Sequence, residues 1–371
     1  MPNYSDLRPV KDYTEKEFKQ VFPFLDSDRK KRIISNLLDL RAGLQKDIPD
    51  RKTNKSILIA SWNISNFGHY TKRLTEAYFY FAEIISRFDL VVVQEIQTTL
   101  HDLKIIAQLL GDDWEYMIND MTEGKDGNSE RSAYLYNKNT VNFARVAGEL
   151  VLWDTLTQHS SVKQLVRNPY LVAFQSGWKR FMLVNLHLHP GDEPDEIALR
   201  KEEVSLLIEA IKEKKRRNRF WSDNIILCGD FNFYKERDQE AIQVITTSGF
   251  KQVKSLMNKN TNEADTQQYD RFFLSEEHDY FRVGVDEHGN EKGDVFNPFK
   301  YVFTTEKMEQ YKDAMAHHYQ GSKDITEEGF FDWYYHVYWR RDQLSDHLPI
   351  WFELIVDSSD EFLQDKLTEL D

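Results

Sequence analysis

The stretch Ile225-Ile226-Leu227-Cys228-Gly229-Asp230-Phe231-Asn232 joins a short apolar run to a polar end. An apolar run bounded by a turn is a candidate strand buried on both faces. Groups placed at the end of such a strand are the ones a layered scaffold exposes for function. Four further places repeat the pattern. Asn63 follows Ile57 to Trp62, Gln94-Glu95 follows Val91-Val92-Val93, and His187 follows Leu183 to Leu186. Ser345-Asp346-His347-Leu348-Pro349 precedes Ile350 to Leu354. Leu90 to Val93, Ala133 to Tyr136, Tyr170 to Ala173 and Phe181 to Val184 complete the strand candidates. Between them, Leu74 to Ile85, His101 to Leu110 and Glu202 to Lys214 carry apolar residues three and four apart, which predicts helices. Strands mixed with helices make a layered α/β domain.

Working outward, the first 54 residues read as an N-terminal helical extension. Thr14-Glu15-Lys16-Glu17 fits a capping box, with Pro23 limiting that helix. Ile33, Ile34, Leu37, Leu38 and Leu44 predict a second helix, followed by a polar linker from Asp47 to Asn54. Short amphipathic helices usually bury their stripe locally, so the extension is expected to pack on the main domain. That domain is expected over residues 55–357, with an aromatic-rich insertion at about 276–342 and an acidic, frayed tail at 358–371. Lys214-Lys215-Arg216-Arg217 could be a nucleic-acid patch; as the end of a helix it more simply complements the dipole.

Composition excludes several classes. The chain has 371 residues, more than one average domain of roughly 150 but within the size of a large layered one. No stretch approaches the roughly 20 apolar residues that span a bilayer, and Met1 to Asp6 lacks the pattern of a signal segment. The single cysteine, Cys228, cannot form an internal disulfide. A cytoplasmic location is therefore expected. With 48 basic against 62 acidic residues the formal charge is −14, a poor basis for nucleic-acid binding by charge alone, so binding would need a local positive groove plus metal.

Carboxylates, amides and imidazoles at the strand ends are hard or borderline ligands suited to Mg²⁺, Mn²⁺ or Ca²⁺. Paired cysteines for a structural zinc are absent. Each strand end alone is ordinary, since Gly-Asp after a strand is usually a turn. Five in order are a signal. His317-His318 looks like a metal dipeptide but has no companion ligand nearby in sequence and reads as surface.

Several motifs then coincide: Ile59 to Gly68, Asp89 to Glu95, Gly127 to Tyr136, Asn185-Leu186-His187, Gly229-Asp230-Phe231-Asn232, Tyr269-Asp270-Arg271 and Ser345 to Pro349. In this order they resemble the endonuclease/exonuclease/phosphatase superfamily, in its deoxyribonuclease I-like branch. The resemblance implies a four-layered α/β sandwich with two central mixed β-sheets flanked by helices. It implies metal-dependent phosphate-ester hydrolysis, with Glu95 and Asp346 as ligands aided by Asn63. Asp230 and Asn232 would orient the attacking water, or a second metal and the phosphate. His187 and His347 would handle protons and phosphate charge, backed by Glu130 and Asp270 respectively. Arg167 and Asn63 would contact the substrate. His189 lies two residues from His187, but His187 matches the family's Leu-His.

Physical logic gives these roles independent support. A phosphodiester and its transition state are anionic, so clustered carboxylates need a cation to reverse the local sign. Imidazoles suit acid and base roles near neutrality, and a carboxylate behind each ring fixes its tautomer. The leading expectation is a divalent-metal-dependent DNA endonuclease, with DNA ahead of RNA as substrate and Mg²⁺ or Mn²⁺ (then Ca²⁺) as the ion. The alternative is a phosphatase or phosphodiesterase of a small or lipid-linked phosphate, such as an inositol phosphatase or a sphingomyelinase-like enzyme. A dead binding module has no need of the complete reacting set. More than 70 residues separate Arg271 from Ser345, longer than the family pattern. Their aromatics, among them Phe296, Phe299, Phe303, Trp333, Tyr338 and Trp339, are expected to form a subdomain with its own core rather than a base-stacking rim.

Overall fold

The computed structural model describes residues 2, 4, 25–50, 54–68, 72–121, 129–217, 222–276, 280–325 and 327–370. The expected helix start at Thr14 to Glu17, Pro23, residues 51–53 of the linker and the beginning of the Gly127 to Tyr136 motif lie outside them.

Twelve strands form among the described residues. In chain order they are β1 (Ser56–Phe67), β2 (Leu90–Ile96), β3 (Trp114–Ile118), β4 (Arg131–Asn137), β5 (Asn142–Glu149), β6 (Tyr170–Ser176), β7 (Lys179–His187), β8 (Ile225–Asp230), β9 (Phe250–Gln252), β10 (Asp270–Ser275), β11 (Gly293–Val295) and β12 (Ile350–Ile355). They make two six-stranded sheets, ordered β11-β12-β1-β2-β4-β3 and β5-β6-β7-β8-β10-β9. Each sheet is mixed, with one parallel pair at its centre: β1 with β2, and β7 with β8.

The main helices are α1 (Ser27–Asp47), α2 (Thr75–Ser86), α3 (His101–Leu110), α4 (Pro194–Arg216) and α5 (Gln239–Thr246). Strand alternation sorts the side chains into layers. On β1, Leu58, Ala60 and Trp62 face a core shared with α1, α2 and α3, whereas Ile57 and Ile59 face the other sheet. On β8, Ile225 and Leu227 face α4 and α5, whereas Ile226 and Cys228 face inward. Helices, sheet, sheet and helices give the expected four-layered sandwich.

Several local readings need correction. On α1, Ile34 and Leu38 are exposed, and the buried stripe is Ile33, Leu37, Leu40 and Leu44. α4 begins eight residues earlier than expected, where Glu193 and Glu196 form a capping box across the first turn that Pro194 opens. Its basic end is solvated, with Arg216 and Arg217 paired to Glu213. The C-terminal segment is not frayed: Ser359–Thr368 is an exposed helix, tied by Lys55–Asp360 and Arg282–Glu361.

The aromatics of the long insertion do not form a core of their own. Phe296, Phe299, Phe303, Tyr311, Tyr335 and Trp339 join the cluster that contains Trp62 and Phe81. Tyr80 of α2 meets Phe303 at 5.4 Å, so the aromatic face of that helix supplies the missing partner. Trp333 and Tyr338 remain exposed.

β7 and β8 approach closely at Gly229. Its φ of +125° is a backbone state that favours glycine, and an added Cβ would lie 2.1 Å from the Leu186 carbonyl oxygen. Gly229→Ala should therefore lower unfolding stability by at least about 1–3 kcal/mol, the scale of a strained backbone alone. Chemical denaturation checks this, and an unchanged midpoint would refute the close-packing requirement.

Candidate active site

Strand pairing sets one edge of each sheet side by side. In the second sheet, β7, β8 and β10 bring His187, Asp230 and Asp270 into one row. His187 pairs in register with Asp230, and Asp230 with Asp270. In the first sheet, β12 runs antiparallel to β1, with Ile350 opposite Ser61. The residues just before β12, including His347, therefore lie at the same edge as Asn63.

Polar bonds stitch the two edges together. Gln94 Nε2 donates to Asn185 Oδ1 at 2.7 Å between the sheets. Asn63 Nδ2 donates to Asp230 Oδ2 at 2.9 Å and to Glu95 Oε1 at 3.0 Å. His347 Nδ1 lies 2.9 Å from Asp270 Oδ2, which also accepts from Thr261 Oγ1 at 2.8 Å.

The two imidazoles converge on one atom. His187 Nε2 is 3.6 Å and His347 Nε2 is 3.7 Å from Asp230 Oδ2. Behind His187, Glu130 Oε2 lies 3.1 Å from Nδ1. Arg167 Nε donates to that same oxygen at 2.8 Å. Arg167 Nη1 is buried without a hydrogen-bond partner. Asn232 donates Nδ2 to the Leu188 carbonyl and its backbone N–H to Asp230 Oδ1, so it fastens the ends of β7 and β8 together.

Burial and charge oppose each other throughout this cluster. Burial alone would raise the Asp230 pKa, but the neighbouring His347 and His187 outweigh it and hold the group below its ordinary value. Burial alone would lower the His347 pKa, but Asp270 and Asp230 outweigh it and hold the ring well above its ordinary value. Glu130 is likewise opposed by burial, yet His187 and Arg167 draw it down to about 2. These pairings favour Asp230 and Glu130 as carboxylates and His347 as an imidazolium, whereas burial keeps the Asp270 pKa above its ordinary value.

Glu95 and Asp346 flank the end of β1. Glu95 has a φ of +60° where the β1–β2 and β2–β4 registers shift, a distortion that re-aims a side chain. Its Oε2 accepts from the Asn66 N–H at 3.1 Å. Asp346 is exposed, and its neighbour Ser345 donates Oγ to the Asn63 carbonyl at 2.7 Å. Asn63 Oδ1 is buried without a partner beside Glu95, an oxygen donor that fits a hard divalent cation. Among the described residues, the three-residue group with donor atoms within 4.8 Å is instead Asp230, Asp270 and His347. That trio is joined internally by the His347–Asp270 contact. No such group forms at His317-His318, which end the helix Lys312–His318.

Some participants carried no role in the sequence reading. Ser345 Oγ also accepts from the N–H groups of His347 and Ser65. The Tyr269 ring lies 5.5 Å from that of His347. Gln94 and Asn185, which stood in the motifs without an assigned role, bridge the sheets from within apolar strands.

No family model matches the chain. It is 26% identical over 212 residues to Deoxyribonuclease-1 of Homo sapiens, covering 54% of this chain and 67% of that protein. It is 26% identical over 188 residues to Deoxyribonuclease gamma of Rattus norvegicus, covering 48% and 56%. Among solved structures, an endonuclease/exonuclease/phosphatase family protein from Bacteroides thetaiotaomicron superposes with a TM-score of 0.49 at 19% identity, covering 82% and 96%. No helix of the described residues is long and apolar enough to cross a membrane. In sequence the chain is thus similar to deoxyribonucleases, and its two face-packed mixed sheets with a carboxylate behind each of two imidazoles fit a resemblance to the deoxyribonuclease I-like branch of the endonuclease/exonuclease/phosphatase superfamily.

Proposed function

We propose that the protein is a divalent-metal-dependent phosphodiesterase that cleaves DNA by in-line attack of water. The observation that carries this reading is the convergence of His187 and His347 on Asp230 Oδ2 at 3.6 and 3.7 Å. DNA as the substrate is supported by the relatives named deoxyribonucleases.

The residues divide the work by charge. Asp230, held as a carboxylate, orients the attacking water. His347, held as an imidazolium by Asp270, faces the phosphate and offsets its charge. Arg167 Nη1 donates to a non-bridging oxygen. His187, steadied by Glu130, gives a proton to the leaving oxygen. Water oxygen bonds to phosphorus and passes its proton to the Asp230 carboxylate, the P–O bond on the 3′ side breaks, and the products are a 5′-phosphate and a 3′-hydroxyl. Glu95, Asp346 and Asn63 Oδ1 would hold the cation, whose positive charge stabilises the charge developing on the phosphoryl oxygens.

Supercoiled plasmid with Mg²⁺ or Mn²⁺ should be nicked, and EDTA should abolish nicking. Asp230→Ala should reduce the rate by on the order of 10²–10⁴. An unnicked plasmid, or full activity of Asp230→Ala, refutes the nuclease reading. Inorganic phosphate released from inositol phosphates or nucleotides would favour a small-molecule phosphatase instead.

Glu130 makes a separate test. Its folded pKa of about 2 lies below the ordinary 4.5. The resulting stabilisation, at most about 3 kcal/mol, is complete above the unfolded pKa and is lost as pH falls through the folded one. Glu130→Gln should remove this component from the acid-unfolding curve between about pH 4.5 and pH 2. Identical curves for the two proteins would refute the proposed charge pairing.

A further inference from the structure

Among the described residues outside the reacting set, Arg73 and Arg200 are buried and each pairs with an aspartate. Arg73 and Asp102 expose only 1% and 0% of their side chains and meet at 2.7 Å. Arg200 and Asp238 are both at 0% and meet at 2.8 Å. Isolated buried ion pairs are poor sources of stability, because desolvation cancels most of their attraction. What they can supply is a fixed arrangement of the groups around them.

The groups around Arg73 are specific. Its Nη2 donates to the Ser65 carbonyl at 2.5 Å and to the Leu344 carbonyl at 3.4 Å. Its Nη1 reaches the Asn66 carbonyl at 3.4 Å. Ser65 and Asn66 follow Asn63, and the Asn66 N–H bonds Glu95. Leu344 precedes Ser345 and Asp346. Gln343 reinforces the same junction, accepting from the Leu74 N–H and donating to the Lys72 carbonyl. One guanidinium thus bolts together the two backbone segments that carry Glu95's anchor and Asp346. The second clamp acts elsewhere: Arg200 Nη1 donates to the His189 and Gly191 carbonyls, behind His187.

We propose that Arg73, anchored on Asp102, is a positioning residue that sets the spacing of Glu95 and Asp346 and thereby the affinity for the divalent cation. This rests on the assignment of those carboxylates to the cation in the proposed function. Contacts that orient metal ligands typically contribute 10–100-fold to affinity. Arg73 is buried and its guanidinium holds Asp102 and backbone carbonyls, so its loss should appear in cation binding first.

The test is direct titration of EDTA-stripped protein with Mn²⁺, free ion being followed by electron paramagnetic resonance. Thermal melts establish that each variant is folded. Arg73→Lys should raise the Mn²⁺ Kd by on the order of 10-fold, and its plasmid nicking should recover as Mn²⁺ is raised. Arg200→Lys should keep the wild-type Kd while nicking more slowly at saturating Mn²⁺. If Arg73→Lys does not fold, Asp102→Asn, which weakens the anchor without removing the guanidinium, should give the same pattern. An unchanged Kd in the Arg73 or Asp102 variant overturns the proposal. So does equal weakening by Arg73→Lys and Arg200→Lys, which would indicate general loosening. Wild-type protein that binds no Mn²⁺ overturns the cation assignment and the clamp together. Wild-type protein that binds Mn²⁺ but leaves plasmid intact removes only the nuclease reading.

Discussion

The carboxylate of Asp230 is a buried negative charge at the junction of two sheets, and its neutralisation organises the site. An uncompensated ion there would be prohibitively costly. Compensation comes from both sheets: Asn63 donates from β1, while His187 at the end of β7 and His347 before β12 stand within 4 Å. Each imidazole has its own carboxylate behind it, and Glu130 has Arg167 as well. Charge balance and geometry are thus one requirement. Moving any member leaves another group short of a partner in a medium that screens poorly.

Much of this was legible because strand ends are conspicuous. β1, β2, β4, β6, β7, β8 and β12 each contain an apolar run that a period-two or fully buried reading recovers. β10 was harder: Phe272, Phe273 and Leu274 make a short run, and the burial of Asp270 and Arg271 is set by neighbours distant in sequence. β5 is an edge strand whose residues are mostly exposed or half-buried, so it lacks an apolar signature. His187, Asp230, Asp270 and His347 stood in recognisable motifs. Their distances depend on pairings between residues tens to hundreds of positions apart.

Buried arginines are the systematic blind spot. Sequence reading assigns Arg and Lys to solvent because unpaired burial is so unfavourable. Arg73 and Arg200 are buried because Asp102 and Asp238 meet them, and neither pairing follows from local spacing. The aromatic insertion failed for a related reason. Phe296, Phe299, Phe303 and Trp339 are buried as their apolar character demands, but their partners are α2 and the first sheet, and Trp333 and Tyr338 stay exposed. Contact identity is a tertiary fact even where burial is a local inference.

The position of β12 has a further consequence. This strand, close to the C-terminal end of the chain, occupies an interior place between β11 and β1. During synthesis β1 must wait for β12, since Ser56 pairs with Ile355, a contact of very high sequence separation. The same late segment delivers His347. A nascent chain therefore lacks the contact of His347 with Asp230 until β12 has emerged and inserted beside β1, so the cluster is assembled late.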